Sequence, residues 1–296
     1  MAKRREDFTD LLVQRGVLTS DQVEQAVRHA QTTGFTVEDA IIQSGFASPM
    51  KVLSALAEFE LLAEARAKRC SPTPRLIARP MPPSAVGLQS LSCDTGKPAV
   101  LYVPTGYVAS QPAPFALMLH GAGGNPGNTI SHMQELAERK GIIVLAPASL
   151  GRTWDMFLSN FGPDVERIDR LLQEVFSRYL IDPARLAIAG FSDGASYALS
   201  VGLANGDLFT HILAYSPGGY IERGSQNGTP RIFISHGAGD ETLPVANCSR
   251  RIVLRLQEAG YTVVYEEFDG PHTVPPEIAN QALDWFTSLD RDRTAI

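Results

Sequence analysis

The chain has 296 residues, of which 44% are hydrophobic and 20% charged, so it can build one large hydrophobic core or a moderate domain beside a smaller one. Acidic residues outnumber basic ones by 32 to 26, and this excess argues against nucleic acid or anionic lipid as a partner. The cysteines, Cys70, Cys93 and Cys248, are scattered without C-x-x-C spacing, which argues against a disulfide framework or a zinc site.

The N-terminal sequence MAKRREDFTD begins with charged residues. No apolar run of signal-peptide length follows it, and no continuous span of the sequence has the length and apolar character of a membrane segment. These features predict a cytoplasmic protein.

The first predicted elements form an internal repeat. TDLLVQRGVLTSDQVEQAV, residues 9–27, aligns with EDAIIQSGFASPMKVLSAL, residues 38–56, at an offset of 29 residues. Each copy predicts a helix, a turn and a second helix. Gly16 or Gly45 is expected to end the first helix in a left-handed conformation, and a hydroxyl residue is expected to cap the second. The repeat predicts a small all-α domain over residues 1–65.

This repeat resembles the N-terminal domain of type II secretion and type IV pilus assembly ATPases, whose pattern reads LLxxxGxLTxxQLxxAL. Members that bind cyclic di-GMP have an Arg opening each copy and a Gln closing it. The matching positions here hold Asp7 and Ala30, then Thr36 and Phe59. The resemblance therefore implies a helical docking or packing domain, with a surface for a protein partner or for self-association, rather than a nucleotide sensor.

A proline-rich stretch follows the repeat. SPTPRLIARPMPPSAVGLQS, residues 71–90, shows no hydrophobic periodicity, which is typical of a stiff linker. The predicted domain boundaries are therefore 1–65 for the helical domain, 66–90 for the linker and 91–296 for a second domain.

Short apolar runs alternate with amphipathic stretches after the linker. Strands are predicted at 99–103, 115–119, 142–146, 186–189, 211–215, 231–235 and 261–268, and helices at 129–140, 165–179, 195–204, 245–259 and 276–289. This alternation predicts an α/β fold whose mostly parallel sheet is covered by helices on both faces. Ligands of such sheets bind beyond the carboxyl ends of the strands, so the residues that follow each strand are the functional candidates.

One predicted strand runs into GFSDG, which places Ser192 at a strand-to-helix corner. Gly190 and Gly194 flank it and suit a corner where strand and helix approach without Cβ atoms. A serine hydroxyl becomes a nucleophile when an imidazole takes its proton and a carboxylate fixes that imidazole. His272, in FDGPHT, follows both Ser192 and a strand-end acid, Asp240 in HGAGD.

The acid of this trio has alternatives. Asp240 is preferred to Glu241 because it ends HGAGD in the loop after the penultimate strand. It is preferred to Asp269 because that residue is three positions from His272 and too local to support the imidazole from behind. The chain order Ser, Asp, His is the one expected of an α/β-hydrolase.

Other strand-end residues complete the predicted site. The backbone N–H groups of Ala122, in HGAGG, and Asp193 are expected to bind a substrate oxyanion. Trp154 and Phe157 are expected to line the acyl or alcohol pocket, although an aromatic residue at Trp154 equally suits the core. His120 and His236 are interpreted as structural hydrogen-bond partners. No metal or cofactor is expected.

Residues 92–290 resemble the bacterial carboxylesterase/phospholipase group of α/β-hydrolases, near polyhydroxybutyrate-depolymerase-like esterases. The resemblance rests on LHGAGG, GFSDGAS, HGAGDETLPVANCSRRI and FDGPHTVPPEI. It implies a triad of Ser192, Asp240 and His272 and an oxyanion hole at Ala122 and Asp193. These groups predict ester hydrolysis through an acyl-enzyme, and the small size with few lid insertions favours short- to medium-chain or aryl carboxylic esters. Lysophospholipid, feruloyl ester or polyester hydrolysis is the alternative within the enzyme class. The alternative outside it is an interaction protein with a ligand-binding hydrolase fold, which the complete triad disfavours.

Overall fold

The structure is a computed structural model that describes residues 8–9, 11–13, 15–33, 37–48, 50–52, 55, 85–92, 96–155, 162–221 and 228–288. The chain divides into two compact units. One comprises residues 1–70 and 155–162, and the other comprises residues 71–154 and 163–296.

The first unit contains the helices Ser20–Thr33 (α1) and Val37–Gln43 (α2). Positions that are equivalent in the two repeat copies are buried in one apolar cluster: Phe8 and Val37, Leu12 and Ile41, Ala26 and Ala55. Gly16 and Gly45 have φ angles of 65° and 69°, the left-handed conformation predicted for both. The repeat in the sequence is therefore a repeat in the structure.

The start of α1 shows how this unit satisfies its helix ends. The backbone N–H of Gln22 donates to the Thr19 hydroxyl at 3.3 Å, and the backbone N–H of Thr19 donates to the Gln22 side chain at 2.9 Å. This reciprocal arrangement is a capping box, which satisfies two N–H groups that the helix itself leaves unpaired. The predicted hydroxyl cap at this position is confirmed.

The second unit is built on an eight-stranded sheet in the order β1-β2-β4-β3-β5-β6-β7-β8. The strands are Gly87–Ser92 (β1), Pro98–Val103 (β2), Ala113–Leu119 (β3), Ile143–Pro147 (β4), Ile181–Phe191 (β5), His211–Tyr215 (β6), Arg231–Gly237 (β7) and Val263–Phe268 (β8). The β1–β2 and β2–β4 pairs are antiparallel, and the remaining pairs are parallel. The carboxyl ends of β3 to β8 therefore lie along one edge.

Helices cover both faces of this sheet. They are Pro126–Lys140 (α3), Pro163–Arg178 (α4), Asp193–Ala204 (α5), Ser249–Glu258 (α6) and Pro276–Thr287 (α7). Buried residues of α3 and α7 share one apolar cluster with alternate residues of the strands. The opposite strand residues face α4 and α5, as the edge-on packing of Phe176 against Phe115 illustrates. Among the described helices, none is long and apolar enough to cross a membrane.

The prediction of a mostly parallel sheet with helices on both faces is confirmed, and one element differs. Strand β1 begins at Gly87, inside the segment 66–90 that was expected to be linker. Leu91 is buried whereas Leu88 is 61% exposed, because β1 is an edge strand that packs through one face only. With few β-branched residues and prolines just before it, the segment carries little local preference for a strand and gains its structure from pairing with β2.

The corner between β5 and α5 depends on its two glycines. A Cβ atom at Gly190 would lie 2.3 Å from backbone atoms of Gly194. A Cβ atom at Gly194 would lie 2.4 Å from the carbonyl oxygen of Leu119 and 2.5 Å from that of His120. These separations are far below van der Waals contact, so the predicted close approach of strand and helix is confirmed.

We expect Gly190→Ala to lower the free energy of unfolding by about 2 kcal/mol or more, since the added methyl group meets backbone that cannot rotate away. Gly106→Ala is the matched control, because its Cβ would meet no atom within 4 Å and its turn is exposed. Thermal denaturation of both variants checks this. Equal melting temperatures for the two would contradict the steric account.

Candidate active site

Ser192 lies at the corner in a conformation that residues other than glycine rarely adopt. Its φ and ψ angles are 56° and −120°. The backbone holds it there, because its N–H donates to the carbonyl of Tyr215 at 2.9 Å and its own carbonyl accepts from Ala195 and Ser196 at 3.0 Å. Such strain is retained where the surrounding structure over-determines it, and here it presents the hydroxyl above the sheet edge.

His272 and Asp240 follow two other strands. The imidazole of His272 contacts the Ser192 hydroxyl, and the Asp240 carboxylate contacts that imidazole. The Nε2 atom of His272 lies 2.9 Å from the Ser192 Oγ, and its Nδ1 lies 2.5 Å from Oδ2 of Asp240. The Asp240 side chain is fully buried, whereas that of His272 is 16% exposed. The structure thus brings the three predicted side chains into one hydrogen-bond chain, in which the imidazole can take the serine proton and the carboxylate can stabilise the resulting charge.

The environment of Asp240 keeps its carboxylate ionised. Burial alone would raise the pKa of the carboxyl group, but hydrogen bonds and charge outweigh it and lower the pKa below the ordinary value. The backbone N–H of Leu243 makes the largest lowering contribution, followed by His272. Oδ1 accepts from the N–H groups of Thr242 and Leu243 at 2.9 and 2.8 Å. A carboxylate held by several donors remains negative at neutral pH.

The loop HGAGG lies against Ser192. A Cβ atom at Gly121 would lie 3.4 Å from the Cβ of Ser192, and the N–H of Gly123 donates to the Arg152 carbonyl at 2.8 Å. The backbone N–H groups of Ala122 and Asp193 donate to no backbone carbonyl among the described residues. Both are therefore free to bind a substrate oxygen, as an oxyanion hole requires.

Trp154 lies beneath the site and does not line its opening. The residue is 1% exposed, its indole N–H donates to the His120 carbonyl at 2.8 Å, and its ring stacks on Tyr197 with centroids 5.2 Å apart. The expectation that it contacts substrate is therefore replaced by the core alternative: the indole fixes the backbone from which HGAGG begins. Phe157 lies outside the described residues.

His120 has a structural place in the same layer. Its Nε2 accepts from the backbone N–H of Ser149 at 3.0 Å, so its Nδ1 carries the proton and donates to the Gly121 carbonyl at 2.7 Å. Burial lowers the pKa of this imidazole, which keeps it neutral. A neutral, doubly hydrogen-bonded ring positions the loop and takes no proton.

A cavity of about 320 Å³ opens beside His272. Apolar side chains form much of its wall, and polar side chains of α3 and of the segment after His272 line the rest. The apolar members are Met118, Leu119, Met133, Phe191, Val274, Pro276 and Ala279, and the polar members include Asn125, Asn128, Thr129, His132 and Thr273. None of the lining residues is Asp, Glu, Lys or Arg. In the described part of the chain, no group of three or more His, Cys, Asp or Glu is placed to hold a metal ion.

Sequence reasoning missed this cavity wall. Asn125, Asn128, Thr129, His132 and Met133 recur at helical spacing directly after HGAGG, and that spacing was the available signal. It becomes informative once α3 is known to pack beside α7, which supplies the opposite side of the cavity. Phe191 was also missed: its ring lies 4.7 Å from the His272 imidazole, centroid to centroid.

Comparisons with known proteins agree with this architecture. No family model matches the chain. Over 158 residues, 51% of the chain, it is 28% identical to feruloyl esterase C from Emericella nidulans. That match covers 57% of the relative, so the chain spans little more than half the length of the curated relative it resembles.

Two solved structures share the fold. A thermostable esterase superposes with a TM-score of 0.56 and 22% identity, over 67% of this chain and 61% of its own. An S-formylglutathione hydrolase from Staphylococcus aureus superposes with a TM-score of 0.55 and 14% identity, over 71% of this chain and 99% of its own. The second unit therefore has the α/β-hydrolase fold.

We expect the stabilising effect of Asp240 to depend on pH. Because its pKa is lowered in the folded chain, its contribution is fully present above the unfolded value of about 3.9 and is lost as the pH falls through the lower folded value. Asp240→Asn should therefore melt well below the parent at pH 7, and the gap should shrink below about pH 4. Thermal denaturation across pH measures it. Asp269→Asn, at an exposed loop position, is the control, and a gap of constant size for Asp240→Asn would contradict the prediction.

Proposed function

We propose that the protein is a serine carboxylesterase that hydrolyses short- to medium-chain or aryl carboxylic esters through an acyl-enzyme. The observation that carries the proposal is the hydrogen-bond chain from Ser192 through His272 to Asp240, with distances of 2.9 and 2.5 Å. Fold similarity alone would not select this activity, because one fold supports many reactions.

The mechanism follows from the positions of these groups. His272 Nε2 takes the proton of Ser192 as Oγ attacks the ester carbonyl, and the tetrahedral oxyanion accepts hydrogen bonds from the N–H groups of Ala122 and Asp193. When the carbonyl re-forms, the protonated imidazole gives its proton to the departing alkoxide, which leaves as the alcohol. Water then attacks the acyl-enzyme while His272 repeats the cycle, releasing the acid and regenerating Ser192.

The cavity supports the choice of uncharged substrates. It lies against His272 and Phe191, so a group bound there adjoins the reacting carbonyl. Its wall contains neither carboxylate nor Lys or Arg side chains, and burial of a charged acyl group without a partner would be costly. Its volume, about 320 Å³, is at the small end of ligand pockets.

Feruloyl ester hydrolysis is the second candidate. The sequence relative from Emericella nidulans is named a feruloyl esterase, and the cavity combines an apolar wall with neutral polar groups that suit an aromatic acyl group bearing hydroxyl and methoxy substituents. The two candidates share every catalytic step and differ only in the acyl group.

Two further proposals concern the whole chain. We retain residues 1–65 as a docking surface for a protein partner or for self-association, on the strength of the helical repeat. A cytoplasmic location also stays a prediction from the sequence.

We expect Ser192→Ala to lower kcat for a short-chain aryl ester by about 10⁴-fold or more, because no other group supplies the nucleophile. Ser177→Ala, which removes an exposed hydroxyl of α4 that donates to the Glu174 carbonyl, is expected to match the parent. Spectrophotometric release of the aryl alcohol measures both. Equal rates for the parent and Ser192→Ala would exclude a serine esterase.

We expect Thr129→Phe to fill the cavity from the side of α3. Hydrolysis of a hexanoate ester should fall by about tenfold or more in kcat/KM while an acetate ester changes by less than about threefold, since only the longer group needs the space. Ser131→Phe adds the same ring on α3 at a position outside the cavity wall, so it should leave the ratio unchanged.

Titration of the acid released from methyl ferulate and from methyl hexanoate, which share one leaving group, separates the two candidates. A parent kcat/KM higher for ferulate than for hexanoate would establish the second candidate in place of the first. Loss of the acetate and hexanoate activities in equal proportion in Thr129→Phe would contradict the assignment of the cavity to the acyl group.

A further inference from the structure

His236, at the carboxyl end of β7, lies against the back of the Asp240 carboxylate. Its side chain is fully buried, and its Nε2 lies 3.1 Å from Oδ2 of Asp240 and 2.7 Å from the carbonyl oxygen of Leu243. Its Nδ1 lies 2.6 Å from the hydroxyl oxygen of Ser249, the first residue of α6. Two imidazoles therefore share one carboxylate oxygen, since His272 Nδ1 contacts the same Oδ2 at 2.5 Å.

The contacts determine the protonation of His236. A carbonyl oxygen only accepts hydrogen bonds, so the ring carries its proton on Nε2, which faces both Leu243 and Asp240. Nδ1 then accepts a hydrogen bond from the Ser249 hydroxyl. Burial lowers the pKa of the imidazole and outweighs the raising effect of Asp240, so the ring is neutral at pH 7.

His272 and Glu267 also act electrostatically on His236. A positive charge on His272 lowers the pKa of His236. Glu267 lies opposite His236 on β8, and the Arg250 guanidinium binds its carboxylate through two hydrogen bonds of 2.7 and 2.8 Å. The charge of Glu267 is therefore paired with that of Arg250, and the carboxylate that His236 contacts is that of Asp240.

We propose that His236 is a positioning residue which, with Ser249 behind it, holds Asp240 in place and takes up part of its negative charge; this proposal rests on the proposed esterase function. Both oxygens of Asp240 are then fully engaged. Oδ1 accepts from two backbone N–H groups, and Oδ2 lies 2.5 Å from His272 Nδ1 and 3.1 Å from His236 Nε2. The carboxylate cannot rotate about its Cβ–Cγ bond without breaking these contacts.

The electrostatic consequence has a definite sign. The N–H dipole of His236, 3.1 Å from Oδ2, stabilises the carboxylate, so less of its charge is available to stabilise a protonated His272. Removing this N–H dipole strengthens the attraction between Asp240 and the His272 imidazolium. The acid limb of the pH–rate profile, which reports protonation of the catalytic base, then moves to higher pH. A residue that merely fills space would leave that limb in place.

The experiment compares His236→Leu with His236→Gln in the full chain. Leucine keeps comparable bulk without a donor, whereas the glutamine side-chain amide can place an N–H near the former Nε2 position. We expect His236→Leu to lower kcat about tenfold with KM within about twofold of the parent, and to move the acid limb up by about half a pH unit. His236→Gln should stay within about threefold of the parent and keep its acid limb.

A substitution of Ser249 tests the proposal independently. Ser249→Ala removes the hydroxyl that holds Nδ1 of His236 and orients its ring, so it should shift kcat and the acid limb in the same direction by a smaller amount. In a double-mutant cycle it should have no further effect on His236→Leu, because it acts through the ring. Tyr102→Phe removes another hydroxyl hydrogen bond, a partly buried one to Glu138 at 2.6 Å, and is the control whose acid limb should not move.

These experiments can overturn the His236 proposal while the esterase proposal stands. An unmoved acid limb in His236→Leu, a His236→Gln as impaired as His236→Leu, or additive effects in the cycle would each overturn it. If His236→Leu does not fold, Ser249→Ala and His236→Gln carry the test.

If the parent shows no Ser192-dependent hydrolysis, the esterase proposal fails. The downfield proton resonance of His272 Nδ1 then replaces the rate as the readout for His236. It is expected to shift in His236→Leu and Ser249→Ala and to stay in place in Tyr102→Phe, and a resonance common to all four proteins would overturn the inference.

Discussion

The arrangement of the site depends on the distance between two backbone segments, the end of β5 and the start of α5. Gly190 and Gly194 allow these segments to meet at separations that a single Cβ atom would block. The corner in turn forces Ser192 to a φ of 56°, a conformation that typically costs about 1–3 kcal/mol for a residue with a side chain. The cost is offset by the hydrogen bonds to Tyr215, Ala195 and Ser196, none of which requires a particular side chain. Ser192 is thus positioned by the backbone.

Around this corner the parallel sheet supplies the remaining groups from separate stretches of chain. Asp240 follows β7 and His272 follows β8, and both strands end at the same edge as β5 because the pairs from β5 to β8 are parallel. Strand order therefore determines the spacing of the functional groups, while loop sequence determines their chemistry. The β7 loop illustrates this division: two of its backbone N–H groups hold Oδ1 of Asp240, so that loop orients the carboxylate without any basic side chain.

The fold and the central trio were accessible from the sequence for one physical reason. Strands of a parallel sheet are continuous apolar runs, and the polar residue that ends each run marks the functional edge. Ser192, Asp240 and His272 each stand at such an end. The position of Trp154 could not be predicted in this way, because an aromatic residue after a strand can turn toward the solvent or into the protein. Its direction is decided by hydrogen bonding and stacking with residues distant in sequence, His120 and Tyr197.

Strand β1 and the cavity wall were not accessible for a related reason. The strand at Gly87–Ser92 has little intrinsic preference for extended structure and exists through its pairing with β2. The cavity needs α3 and α7 to pack on the same face, a fact about topology that periodicity within either helix does not contain. Local sequence thus identifies residues whose role is set by position in one element, and it misses features that arise where two elements meet.

Burial separates the roles of the histidines near the site, although they share one chemistry. His120 and His236 are both buried, both have lowered pKa values because of that burial, and both use each ring nitrogen in a hydrogen bond to protein. Such a ring has no lone pair left to accept a proton from substrate, so it can orient its neighbours but cannot act as a base. His272 differs in two respects: its side chain is partly exposed, and it lines the cavity with its Nε2 in contact with the Ser192 hydroxyl. The capacity for proton transfer follows from which imidazole nitrogen the fold leaves available, and here that nitrogen belongs to the ring whose other side is held by Asp240.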